Sequence, residues 1–146
     1  MHNGLLHAHS GLRYVVLLLL LVAIFNAFSK KKSGTWTGSD KKIALFTLIF
    51  THIQLVLGLL LYFNEYSKVS FASGFMENKI LRFYTVEHIS LMLVAIALIT
   101  IGYSKSKRAA TDAKKFGAIA VFYLIGLVLI LAAIPWPFRE LGAEWF

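Results

Sequence analysis

Apolar residues in this chain gather into four long blocks, separated by short polar stretches rich in lysine. The blocks cover roughly residues 5–28, 43–63, 81–103 and 116–134. A bilayer crossing needs about 20 apolar residues, and each block reaches that length. Inside the blocks polar positions are sparse, so the pattern predicts helices apolar on nearly every side. The connections are short, which predicts an all-α membrane protein built as an antiparallel, up-down bundle of four transmembrane helices. The fourth block is closed by Pro135 and Pro137, which cannot continue a helical hydrogen-bond ladder. No internal repeat and no low-complexity tract interrupts the four-block layout, which leaves one domain spanning 1–146.

Composition supports the same class. Hydrophobic residues make up 58% and charged residues 15%, with a mean hydropathy of +0.71, against about 25% charged in soluble domains. The first block resembles a signal sequence in hydropathy. It is read as retained, because histidines precede it, lysines end it, and a small-residue cleavage site is missing.

Charge adds direction. The net charge of +8 would suggest nucleic acid in a soluble protein, but here the basic residues sit in short loops. Lys30, Lys31, Lys32, Lys41, Lys42, Lys105, Lys107, Arg108, Lys114 and Lys115 flank one side. The other side carries only Arg13, Lys68, Lys79, Arg82 and Arg139. The richer side is expected to be cytoplasmic. The N-terminus, the central loop and the C-terminus are then outside, periplasmic for a bacterial inner membrane. Trp136, Trp145, Tyr14, Tyr62 and Tyr84 fall where an outer aromatic belt would lie.

The candidate chemistry is imidazole. The chain has no cysteine, which excludes disulfides, thiolate metal sites, iron–sulfur clusters and covalent c-type haem attachment. Four of its five histidines, His7, His9, His52 and His88, lie in or beside the apolar blocks, where an ionisable group is costly and is a functional candidate. At about 1.5 Å per residue, His9 and His88 come within one helical turn of the same depth near the outer boundary. They belong to helices placed diagonally in an up-down bundle. That is the arrangement six-coordinate haem requires, with one axial ligand above and one below its plane. His7 and His9 lie roughly 200° apart on a helix, so one of them can face the centre; His9, deeper and four residues from Arg13, is chosen.

The other candidates are secondary. Arg13, Arg82 and Arg139 gather near the outer boundary, where a guanidinium pairs with haem propionates or reaches toward headgroups. Glu87 is the acid inside a block. Its expected roles are a bond to the second nitrogen of a ligand histidine, proton transfer in quinone chemistry, or an ion pair with Arg13 or Arg82. Met92 and Ala95 share the face of His88. Thr47, Thr51, Gln54 and Gly58 form a polar and small stripe suited to helix contact, a quinone headgroup or a nearby haem. For His52, hydrogen bonding across the bundle ranks ahead of ligating a second cofactor or bonding a quinone carbonyl. The small residues Gly117, Ala118, Ala120, Gly126, Ala132 and Ala133 allow close helix approach.

Two resemblances follow from these residues. The stretch His9-Ser10-Gly11-Leu12-Arg13 resembles the opening of small bacterial four-helix membrane proteins described as cytochrome b-like. The order His9, then Gln54-Leu55-Val56-Leu57-Gly58, then Glu87-His88 is similar to one half of the haem A synthase family. They imply haem b near the outer face with His9 and His88 as axial ligands. They do not imply haem A synthesis, since that family has two such halves and many members carry an extracellular cysteine pair. The expectation is therefore a haem-bearing electron carrier or subunit rather than a free-standing enzyme. It would exchange electrons with quinone and assemble as a homo-oligomer or within a larger membrane complex. The alternative is a cofactor-free structural subunit of such a complex; a metal or proton transporter using His7, His9, His52 and Glu87 ranks last.

Overall fold

A computed structural model describes residues 2–64 and 68–146. Among them there are helices and no strands. Helix α1 spans His2–Lys30 and α2 spans Gly38–Phe63. The short α3 (Lys79–Arg82) passes through a π-helical turn, Phe83–Glu87, into α4 (His88–Arg108). Helix α5 spans Asp112–Ala133, and a single 3-10 turn, Pro137–Arg139, follows it. The four long helical segments, with Lys79–Arg108 counted as one, are each long and apolar enough to cross a membrane.

The helices overrun the apolar blocks because their polar ends are capped. Helix α2 begins five residues before its block. Asp40 accepts from the backbone N–H of Thr37, the Thr37 hydroxyl, Asn26 Nδ2 and Lys30 Nζ, each at 2.8 Å. This capping arrangement satisfies orphan amides of the first turn. It also ties the end of α1 to the start of α2. At the start of α5, Thr111 Oγ1 accepts from Lys114 N. Helix α5 stops where the sequence expects. Ile134, preceding Pro135, takes an extended conformation, as the proline ring enforces.

Each long helix packs mainly on two others: α1 on α2 and α5, and α4 on α5 and α2. The shared interior is made of small and slim residues, including Ala23, Ala27, Ala44, Ala95 and Ala120, around the buried Leu20, Ile99, Phe116 and Tyr123. Two buried hydroxyls inside are satisfied by backbone carbonyls. Tyr123 donates to Ala44 O at 2.8 Å, and Thr47 donates to Ile43 O at 2.8 Å. The outer surfaces are apolar instead, with Leu18, Phe25, Phe46, Val56, Val94 and Val128 exposed. Exposed apolar area this extensive suits lipid rather than water.

Glycines lie in the contact between helices α4 and α5. An added Cβ on Gly126 would lie 2.7 Å from Ile99 Cγ1 and 3.3 Å from the Ala95 carbonyl oxygen. On Gly102 it would collide with the Phe122 Cβ. The expected small-residue contact along α5 is thus made at Gly126, whereas Gly117 meets only the Lys31 side chain, at 3.6 Å. Gly102→Ala must push α4 and α5 apart, and overpacking of this kind costs about 1–3 kcal/mol. Thermal unfolding in detergent is expected to show a lowered midpoint for Gly102→Ala and no lowering for Gly4→Ala, a helical position where nothing lies within 4 Å.

Candidate functional site

A cavity of about 480 Å³ lies among the helices, within the roughly 300–1,000 Å³ typical of small-molecule sites. All four long segments contribute to its wall: His9 and Arg13 from α1, Gln54 and Gly58 from α2, His88 from α4, and Ile130 from α5. The segment Gly142–Glu144 and Phe146 also line it.

His88 is held by an acceptor that the prolines release. In a continuing helix the N–H of residue 137 would bond the carbonyl of residue 133. Residue 137 is proline and has no N–H. The Ala133 carbonyl is left for His88, whose Nδ1 lies 2.7 Å from it. A carbonyl only accepts, so Nδ1 carries the proton and Nε2 keeps its lone pair. The same logic frees Leu131 O through Pro135, and Trp136 Nε1 donates to it at 3.1 Å. Arg139 Nη1 donates to Ala132 O and Ile134 O at 2.7 and 2.9 Å. The polar end of α5 is thereby satisfied.

The π-helical turn supplies the rotation that His88 needs. A π turn adds one residue, turning what precedes it by about 100° relative to a regular helix. Phe83, Tyr84 and Thr85 are all buried as a result, at 2%, 9% and 2% exposure, a run that no single helical stripe provides. Their neighbours secure the turn. Tyr62 donates its hydroxyl to Thr85 O at 2.9 Å, and Thr85 Oγ1 accepts from Ser70 N at 2.9 Å.

His9 is positioned by α2. Gln54 Nε2 donates to the His9 carbonyl at 2.8 Å. One turn further on, Gly58 leaves room for the imidazole. A Cβ there would stand 3.0 Å from His9 Cε1. The Gln-x-x-x-Gly spacing is thus a cradle for His9, one residue holding the backbone and the other admitting the ring. His9 Nδ1 and Gln54 Oε1 are buried with no hydrogen-bond partner. The His9 and His88 rings face the same cavity, their centroids 6.4 Å apart and their planes at 75°. Among the described residues no group of three or more His, Cys, Asp or Glu side chains is placed to hold a bare metal ion. The site offers two imidazoles.

The remaining candidates divide. Arg13 reaches the cavity at 8% exposure; its Nη2 donates to Tyr14 Oη and to the carbonyls of Glu144 and Trp145. Its guanidinium also lies over the Tyr14 and Trp136 rings, at 4.9 and 5.8 Å. His7 is exposed at the cavity edge. Arg82, Glu87 and His52 are not part of the wall. Glu87 pairs with Arg82 at 2.7 Å, and the second nitrogen of His88 goes to Ala133 instead. His52 donates Nδ1–H to Leu48 O in its own helix at 2.8 Å. Its Nε2 stands 3.5 Å from Thr100 Oγ1, whose proton goes to Ile96 O at 2.7 Å. Cross-bundle bonding by His52 is therefore a long contact.

Lys68 was not singled out by the sequence, and no motif marks it. It lines the cavity, donates to Gly142 O and lies 5.3 Å from the Tyr84 ring centre. Partial burial pulls it below the ordinary lysine value, and the nearby Glu144 opposes that shift.

The cradle makes a separable prediction. Gly58→Leu forces the imidazole of His9 aside, so its Cε1–H resonance shifts in NMR spectra of the detergent-solubilised protein. Gln54→Leu deletes one hydrogen bond and lowers stability by about 1 kcal/mol, read from chemical unfolding. No protein-family model, curated protein or solved structure matches the chain.

Proposed function

We propose that this chain is a membrane cytochrome of b type, an electron carrier or haem-bearing subunit that binds haem b between His9 and His88. In this reading the four helices form an up-down bundle across a bacterial inner membrane. The lysine-rich loops are cytoplasmic, and the cavity and both termini face outward. Membrane quinone is the electron partner.

The observation that carries the proposal is the spacing of the two imidazoles. Two metal–imidazole bonds of about 2 Å, each extended by a ring radius, put the centroids of axial ligands about 6 Å apart. The His9–His88 separation is 6.4 Å, with the rings near perpendicular. A bare metal ion would need further protein ligands, whereas a porphyrin brings four of its own, so two imidazoles suffice. Gly58, which admits the His9 ring beside the cavity, and the unpartnered Nδ1 of His9 are further support, since a buried polar atom without a partner is unusual.

Haem b, when bound, supplies one-electron chemistry. The protein's contribution is to orient and insulate. The Ala133 carbonyl fixes the tautomer of His88 and raises its basicity as a ligand. Met92, Ile96 and Ile130 give the cavity apolar walls, which disfavour added charge and so influence the potential at which an electron is accepted. Arg13 sets a fixed positive charge at the edge, favouring carboxylates there.

The test is optical. Protein purified in detergent from haem-replete cells is expected to be red, with a sharp b-type spectrum on reduction. His9→Ala and His88→Ala are each expected to lower haem content at least tenfold while helical circular dichroism is kept. A colourless but folded wild-type protein defeats the proposal and leaves the cofactor-free structural subunit.

A further inference from the structure

Arg13 presents an electrostatic problem that the haem reading alone does not resolve. It is 8% exposed, yet among the described residues the ion pairs are Lys30–Asp40 and Arg82–Glu87, and neither involves it. Its Nε is buried with no hydrogen-bond partner. A buried cation without an anion is poorly compensated. What neutral partners it has come chiefly from one segment, through the carbonyls of Glu144 and Trp145.

That segment crosses the cavity as a strap. Leu141 is buried against Phe83 and Tyr84 and anchors its start. Gly142 follows with φ of 69°, and a Cβ there would stand 3.2 Å from Lys68 Nζ, so glycine is favoured by both conformation and space. Lys68 donates to Gly142 O, Tyr14 donates to Trp145 O at 2.7 Å, and the Tyr14 and Phe146 rings are 6.3 Å apart. The strap beyond Leu141 is otherwise exposed or half-buried, and Gly142, Ala143, Glu144 and Phe146 line the cavity. Two cations at the cavity edge are thus engaged by backbone carbonyls of one short, glycine-hinged segment.

We propose that the strap Gly142–Phe146 gates the cavity, and that a ligand carboxylate opens it by taking Arg13 and Lys68 from the strap carbonyls. This rests on the haem reading, with the haem propionates as the carboxylates. A carboxylate adds the attraction of opposite charges that a carbonyl dipole lacks, and a guanidinium fork donates to both of its oxygens at once. The exchange therefore favours the ligand. It also gives the free Nε of Arg13 a partner. With the cations withdrawn, the strap also loses the attraction between its Glu144 and Lys68 and keeps Tyr14 and ring contacts, and the glycine hinge lets it swing away.

The chain has no cysteine, so Ala143→Cys introduces one thiol on the strap. The full-length variant is purified in detergent from haem-starved and from haem-replete cells, and its reaction with a water-soluble maleimide is timed. The expected result is reaction at least fivefold faster in the haem-loaded protein. Lys68→Met in the Ala143→Cys background is expected to speed the haem-starved reaction, because one tether is removed. If Ala143→Cys does not accumulate, Glu144→Cys places the thiol on the same segment. A haem spectrum with an equal or slower thiol reaction overturns the gate and leaves the cytochrome reading standing. Absence of a haem spectrum overturns both.

Discussion

The hydrogen bond from His88 to the Ala133 carbonyl joins the apolar scaffold to its chemistry. Inside a bundle walled by aliphatic side chains, water is not at hand to satisfy a polar group, so each donor and acceptor must find its partner in the protein. Helix α5 has to end, and its last carbonyls need donors. Two prolines leave two of those carbonyls without their helical partners, and side chains from the cavity end of the molecule take them. One of these is an imidazole, which becomes fixed in orientation and tautomer. The rest of the site, from the π turn that presents His88 to the glycine that admits His9, is arranged around that fixed ring.

Polar placement follows the same constraint throughout. Thr47 and Tyr123 donate to carbonyls of nearby helical turns, and Asp40 gathers four donors where α1 meets α2. Against that background the unpartnered atoms are informative. His9 Nδ1, Gln54 Oε1 and Arg13 Nε are all buried and belong to residues of the cavity wall, whereas Ser106 Oγ, buried without a hydrogen-bond partner as well, lies near the C-terminal end of α4.

The secondary candidates show how a polar residue in an apolar helix takes the nearest available partner. Glu87 and Arg82 lie five residues apart across a π turn, close enough to pair without the rest of the bundle. His52 bonds the carbonyl four residues back in its own helix. Neither side chain reaches the cavity. Depth along a helix axis, which the sequence supplies, sets His52 near the midplane but does not separate Glu87 from the adjacent His88. Direction around the axis decided it.

The number of long helices was legible in the sequence, because crossing a bilayer demands apolar runs that stand out without knowledge of any contact. The stop at Pro135 and Pro137, and the common depth of His9 and His88, follow from covalent geometry and a constant helical rise. The pairing of Gln54 and Gly58 with His9 was visible as a spacing, though its cause was not. Only tertiary structure assigned the Ala133 carbonyl to His88, placed a π turn at Phe83–Glu87, and brought Lys68 and Gly142–Phe146 to the cavity. Those features depend on groups 15 to 132 residues apart in the chain meeting in space. Hydropathy and helical periodicity describe a residue's own turn and its solvent, and carry no information about which distant carbonyl lies opposite.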